Sequence, residues 1–255
     1  RECGAEAVHP GYGFLAENAD FAEACADAGM TFIGPDAASI RLLGDKIAAR
    51  KIAADAGVPV LPGSGELSSI EEALAFADRI GYPVMIKAAA GGGGGGIRLV
   101  QRREDLRDAA ARAMQEAQAA FGNPAIYVEK NLQRVRHIEV QVIGDQFGNI
   151  VPVGERECSI QRRHQKLIEE CPSIAVSPQL RRSLTRAAVR IARAANYHNV
   201  GTVEFLLNED GSWYFLEMNT RLQVEHPVTE MVTGTDLVKD QILVAAGEEL
   251  PYDEA

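Results

Sequence analysis

Glu204, Glu217, Asn219, Arg221, Gln223 and Glu225 follow one another in an order suited to charge chemistry on phosphate or carboxylate groups. Glu204 lies in the apolar run Val203-Glu-Phe-Leu-Leu207, and Glu217 ends the run Trp213-Tyr-Phe-Leu216. Asn208-Glu-Asp-Gly-Ser212 between them carries the Asp-Gly signal of a hairpin turn. Centring the turn on Asp210-Gly211 sets Glu204 opposite Glu217, and alternation puts Asn219 on the same face as Glu217. Carboxylates directly across an antiparallel pair repel. A hard cation such as Mg2+, which takes oxygen ligands including one or two carboxylates, would relieve that repulsion. Glu204, Glu217 and Asn219 are therefore the expected metal ligands; an edge hairpin with solvated acids is the alternative. Arg221, Gln223 and Glu225 continue the alternation as a fork donor, an amide and a base, and His226-Pro227 is expected to block helix at residue 226.

A second set of chemical residues surrounds glycines. Pro83-Val-Met-Ile-Lys87 precedes Gly91 to Gly96, and Ile97-Arg-Leu-Val100 follows. Glycine backbone can approach phosphate closely. A Walker loop would need Gly-Lys-Ser/Thr leading into a helix. Here the lysine comes first and strand-like runs flank the glycines, so the pattern predicts a hairpin lid over a nucleotide. Glu155-Arg-Glu-Cys-Ser-Ile-Gln-Arg-Arg-His-Gln-Lys166 gathers Arg162, Arg163, His164 and Lys166 in an acidic chain. They are read either as an anion-binding cluster or as a salt-bridge lattice with Glu155, Glu157, Glu169 and Glu170.

These residues need a scaffold, and the patterning supplies one. Residues 1–8 and 30–33 read as strands around a helix at 17–28, a remnant of a parallel α/β sheet. Residues 39–56 read as one helix carrying Lys46, and Ser69-Ile-Glu-Glu72 is a capping box that opens the next. The Pro/Gly stretch 58–65 is a plausible domain boundary. Residues 104–120 are helical and 126–129 a short strand. In His137-Ile-Glu-Val-Gln-Val-Ile143, Ile138, Val140 and Val142 alternate with the polar His137, Glu139 and Gln141. Ser177-Pro178 opens a helix with Leu180, Leu184 and Ile191 inward, and a last helix covers residues 236–246.

Composition bounds the function. With 255 residues and 46% apolar content the chain can bury a large core. A net charge of -10 argues against a nucleic-acid partner. No run approaches membrane-span length and no signal peptide opens the sequence. Cys3, Cys25, Cys158 and Cys171 lack disulfide-framework or zinc spacing. The cytoplasm, or an organelle matrix, is the expected setting.

His9-Pro-Gly-Tyr-Gly-Phe-Leu15, Gly44-Asp-Lys46, Ile86-Lys87 with the glycines, the Glu155 to Lys166 block and Glu217-Met-Asn-Thr-Arg-Leu-Gln-Val-Glu-His-Pro-Val-Thr-Glu230 resemble biotin carboxylase, along essentially the whole chain. The resemblance implies a fold of class α/β and α+β: a partial Rossmann-like N-terminal (pre-ATP-grasp) domain at 1–57, then an ATP-grasp fold with antiparallel sheets, its glycine-rich lid subdomain at 58–132 and its catalytic subdomain at 133–255. It implies ATP contacts from Lys46, Lys87, Gly93, Gly94, the hinge residues Glu129, Lys130 and Leu132, and His137, Gln161, His164 and Glu204. Glu204, Glu217 and Asn219 would hold Mg2+ or Mn2+. Lys166, Arg221, Gln223, Val224 (through its backbone) and Glu225 would surround bicarbonate, with Arg221, Glu225 and Lys166 catalytic.

The implied reaction is phosphorylation of bicarbonate by ATP, then transfer of the carboxyl group to carrier-bound biotin. Partners would be a biotin carboxyl carrier protein or domain, carboxyltransferase subunits and, at full length, a second copy in a homodimer. The chain departs from the family pattern at Gly95, where a basic residue is usual, and at Ala89, where serine is common. It is expected to lack the start of the N-terminal domain and everything beyond residue 255, including an arginine at the biotin site. No biotinylation motif occurs, so the carrier is expected on another segment or chain. Competing readings are another ATP-grasp ligase, of carbamoyl-phosphate or D-alanine type, and a noncatalytic nucleotide-binding fragment serving carboxylase assembly.

Overall fold

The protein's structure, a computed structural model, describes residues 3–89, 97–162 and 165–252. Two compact units form. One joins residues up to Val60 with those from Arg136 onward; the other is Leu61–Val135.

In the first unit, β1 (Ala7–Val8), α1 (Ala19–Asp27) and β2 (Thr31–Phe32) make the expected strand-helix-strand, with the strands parallel but only two residues long. Asn18 caps α1 by accepting from the Phe21 amide, and Gly29 at φ 70° ends it. The single helix expected over 39–56 is two, α2 (Ala37–Gly44) and α3 (Lys46–Asp55). Asp45 between them adopts extended backbone, and its carboxylate accepts from the Ile47 and Ala48 amides, so it restarts the helix as an N-cap. Lys46 thereby becomes the first residue of a helix.

The second unit holds α4 (Ile70–Ile80), β3 (Val84–Ala88), β4 (Arg98–Val100), α5 (Arg103–Phe121) and β5 (Ile126–Lys130). The capping box of Ser69 and Glu72 forms in full. β3 pairs antiparallel with both β4 and β5, so the residues flanking the glycines form the expected hairpin. Ala73, Ala77, Val84, Ile86, Leu106, Ala110, Ile126 and Val128 close its core.

The remaining elements belong to the first unit: β6 (Arg136–Gly144), β7 (Ile150–Arg162), β8 (Gln165–Glu170), α6 (Pro178–Ala194), β9 (Asn199–Leu207), β10 (Trp213–Asn219), α7 (His226–Thr233) and α8 (Leu237–Ala245). Their sheet is antiparallel, in the order β10-β9-β6-β7-β8. On one face Ile138, Val140, Val142, Val203, Phe205, Phe215 and Met218 pack against Leu184, Ala188 and Ile191 of α6 and Ala49 and Ala53 of α3. On the other, Ile143, Val151, Val153 and Val200 pack against Leu237 and Val244 of α8, and the rest of that face is polar. Among the described residues, no helix is long and apolar enough to cross a membrane.

The β9-β10 hairpin corrects the expected register near its turn. Trp213 pairs with Leu207 and Phe215 with Phe205, because Asn208 and Ser212 close a loop in which Gly211 takes φ 83°. A bulge at Leu216 then shifts the pairing by one, and Glu217 falls opposite Glu204. Without that extra residue Phe215 and Glu217 would share a face. The bulge turns Phe215 into the core and Glu217 to the polar face.

Candidate functional site

β10, β9, β6 and β7 place a row of charge across the polar face. Glu217 pairs with Glu204, Glu204 with Glu139, and Glu139 with Arg156. Directly opposed acids across three strands destabilise a sheet unless cations intervene. Lys166, on β8, does so. Its Nζ contacts Glu139 Oε2, lies 2.8 Å from Glu204 Oε1 and 2.6 Å from Glu225 Oε1. Burial lowers the proton affinity of this ammonium, but the carboxylates of Glu204, Glu139 and Glu225 outweigh it, so the Lys166 pKa stands raised. Arg156, fully buried, supplies the second cation, with Nε 2.6 Å from Glu139 Oε1.

Glu204 is the most heavily contacted acid of this row. Its Oε1 accepts from Asn219 Nδ2 at 2.8 Å, Gln223 Nε2 at 3.1 Å and Lys166; its Oε2 lies 2.9 Å from His137 Nε2. Burial pushes the carboxyl pKa up, but His137 and Lys166 win and hold it well below the usual range. For His137 burial pulls the imidazole pKa down, and Glu204 raises it past its ordinary value. Neither His137 Nε2 nor Glu225 Oε1 has an aligned hydrogen bond despite these close approaches.

The loop 220–225 joins β10 to α7. It is not the continued strand expected from alternation, and Pro227 begins helix α7 instead of blocking it, because proline fits the first turn. Glu17 fixes the loop: its carboxylate accepts from the Thr220 amide at 3.1 Å and Arg221 Nε at 3.0 Å. Arg221 Nη2 also lies 3.3 Å from Asn219 Oδ1. Gln223 is buried, whereas Val224 is exposed.

The structure thus brings together His137, Lys166, Glu204, Asn219, Gln223 and Glu225, and links Arg221 through Asn219. Lys46 Nζ lies 3.9 Å from Glu217 Oε2, at the edge of the sheet. Gln161 donates to the Cys158 carbonyl at 2.8 Å. Within the second unit Lys87 is ion-paired with Glu129, and Lys130 Nζ donates to the Gly81 and Tyr82 carbonyls at 3.0 and 2.9 Å. Leu132 is half-buried beside them in the chain. Gly93, Gly94 and His164 lie outside the described residues, as does Arg163.

The alternative reading, a lattice of Glu155, Glu157, Glu169 and Glu170 with the cations of 162–166, is not seen among the described residues, which leave out Arg163 and His164. Glu155 pairs with Arg181, Glu157 with Arg136, and Lys166 with Glu139, Glu204 and Glu225. Glu139, Arg156 and Glu17 are the residues that sequence reasoning did not place in the site. The alternation along β6 already put Glu139 on the polar face. The same period along Glu155-Arg-Glu157 separates Arg156 from its acidic neighbours.

A divalent cation fits this donor set. Glu204 and Glu217 face one another in register, and Asn219 sits two residues on with its side chain against Glu204. His137, Glu139 and Glu204 also present donor atoms within 4.8 Å of one another, as do Glu139, Cys158 and Glu225. Lys166 now occupies the space among these acids.

The chain is similar to known proteins along its length. Residues 45–253 match the carbamoyl-phosphate synthase L chain ATP-binding domain, and residues 1–40 the biotin carboxylase N-terminal domain. Biotin carboxylase 1 (chloroplastic) of Populus trichocarpa is 57% identical over 248 residues, covering 97% of this chain and 47% of its own length. A Campylobacter jejuni biotin carboxylase, solved as a β,γ-ATP complex, superposes with a TM-score of 0.95 at 52% identity, covering 98% of this chain and 56% of that one. The biotin carboxylase domain dimer of Hydrogenobacter thermophilus 2-oxoglutarate carboxylase, solved with MgADP, ADP and bicarbonate, gives a TM-score of 0.94 at 52% identity over 99% of this chain and 56% of that one. The chain spans about half the length of the curated relative and solved structures just named. By the reach of the ATP-binding-domain match and the identity of these relatives, this chain belongs to the biotin carboxylases, within the family built on the carbamoyl-phosphate synthase L-chain ATP-binding domain.

Proposed function

We propose that the parent protein carboxylates biotin on a carrier, using ATP and bicarbonate. The observation that carries this reading is Lys166, held by three carboxylates, beside the loop that bears Arg221, Gln223 and Glu225. A buried ammonium with raised proton affinity stays charged through the physiological range and suits a small anion. Glu225 would take the bicarbonate proton, Gln223 and the Val224 backbone would orient the anion, and Arg221 would stabilise charge as the carboxyphosphate forms. Mg2+ or Mn2+ held by Glu204, Glu217 and Asn219 would neutralise charge on the phosphoryl group in transfer. Lys46, Lys87, Glu129, Lys130, Leu132, His137, Gln161 and His164, with the backbone of Gly93 and Gly94, would hold the nucleotide. For such a transfer positioning and electrostatics supply most of the rate.

In this reading residues 1–57 belong to the N-terminal domain, 58–132 to the lid subdomain and 133–255 to the catalytic subdomain. The partners are a biotin carboxyl carrier and carboxyltransferase components. The assembly is a homodimer, the form named for the Hydrogenobacter domain, in the cytoplasm or an organelle matrix. The experiment is ATP hydrolysis by the full-length protein with and without bicarbonate and free biotin. Bicarbonate-dependent ADP release that biotin accelerates is expected. Turnover indifferent to biotin would point to another ATP-grasp ligase, and no turnover to a nucleotide-binding role in assembly.

A further inference from the structure

Arg156 lies in the middle of β7 and is fully buried. Besides Glu139 at 2.6 Å, its Nη1 donates to Gln141 Oε1 at 2.7 Å and Thr229 Oγ1 at 2.9 Å, and its Nη2 to Thr202 Oγ1 at 3.3 Å and Gln223 Oε1 at 3.0 Å. The planar guanidinium fork is thereby saturated by β6, β9, the 220–225 loop and α7. Desolvating a cation so completely is costly, and well-packed apolar residues usually fill such a position at no loss of stability. What the fork provides is alignment. It donates to the oxygen end of the Gln223 amide, which turns Nε2 toward Glu204. It holds one oxygen of Glu139, which leaves the other for Lys166. Through Thr229 it holds α7, whose N-cap is Glu225.

We propose that Arg156 is a positioning residue for bicarbonate activation: it touches no substrate and sets the orientation of Gln223, Lys166 and Glu225. This rests on the function proposed above. The test is steady-state kinetics of R156K in the full-length protein, since lysine keeps the charge and loses the fork. The expected result is a fall of about tenfold or more in kcat/KM for bicarbonate, with affinity for a fluorescent ATP analogue within about twofold of wild type. Because Arg156 acts through Gln223, the loss should be smaller when R156K is added to Q223A than when made alone. Bicarbonate kinetics at the wild-type level, or equal losses in bicarbonate and nucleotide terms as partial unfolding would give, overturn the proposal. If R156K does not fold, T229V removes one arm of the fork and keeps the charge. A smaller fall in the same ratio is then expected, and wild-type values overturn the proposal. A wild-type protein that ignores bicarbonate overturns the function and this inference with it; a responsive wild type beside an unaffected R156K overturns the inference alone.

Discussion

Glu155 and Arg156 are neighbours on β7, yet they project to opposite faces of one sheet and meet opposite electrostatic surroundings. Glu155 faces α6, where Arg181 grips both its oxygens at 2.7 to 2.9 Å in a closed pair. Arg156 faces a row of acids that, with Lys166, is packed more densely than a single pair requires. The first arrangement satisfies itself and ties a helix to a strand. The second leaves His137 Nε2 and Glu225 Oε1 without aligned partners and is suited to admitting a charged ligand. Buried charge that is fully matched is architecture, whereas buried charge whose polar atoms are left without aligned partners marks a place where something binds.

The largest effect that bears on this contrast is expected from E225Q, which keeps shape and removes the base. Bicarbonate-dependent turnover should fall by about a hundredfold or more, with nucleotide affinity unchanged, in parallel kinetic and binding assays. Turnover at the wild-type rate would strip Glu225 of that role. K166M comes next, because it leaves Glu139, Glu204 and Glu225 buried without their shared cation. It should cost about 3 kcal/mol in urea denaturation, and added Mg2+ should recover part of that. A loss indifferent to Mg2+ would say that the acids do not take a divalent ion.

On the opposite face R181M should cost about 2 kcal/mol, tempered by the partial exposure of Arg181, and leave bicarbonate kinetics as they are. A change in KM for bicarbonate would erase the distinction between the faces. The smallest effect concerns Glu157, which accepts from Ser173, Arg136 and Ser159. Burial raises its carboxyl pKa, but those donors prevail and hold it below its ordinary 4.5. A depressed folded-state value gives stability that is present above 4.5 and lost as pH falls through the folded value. E157Q should therefore be less stable than wild type at neutral pH by about 1 kcal/mol, with the gap closing in acid below about 4.5, as thermal melts across pH would show.

Much of this was written in the sequence at short range. The capping box at Ser69, the other caps, the alternation of β6 and the carboxylate pair at Glu204 and Glu217 follow from local patterning. Even there the pairing is reached by a bulge at Leu216, which no periodicity announces and which offsets a turn longer by one than Asp-Gly suggests. Gly44-Asp45 splits a helix that its apolar stripe would continue, since a carboxylate cap competes with propensity. The long pairing of β7 with β6 and β8, and hence the places of Arg156 and Lys166, depends on residues far apart in the chain. Nor does any local signal say that Glu17 meets Arg221.

In the proposed reaction these acids and Lys166 prepare bicarbonate to attack the terminal phosphoryl group of ATP. Supplying bicarbonate labelled with oxygen-18 and analysing the released phosphate by mass spectrometry tests it directly. Attack through a bicarbonate oxygen, followed by breakdown of the carboxyphosphate, leaves one labelled oxygen in each phosphate. Phosphate that carries oxygen from water alone would contradict the account.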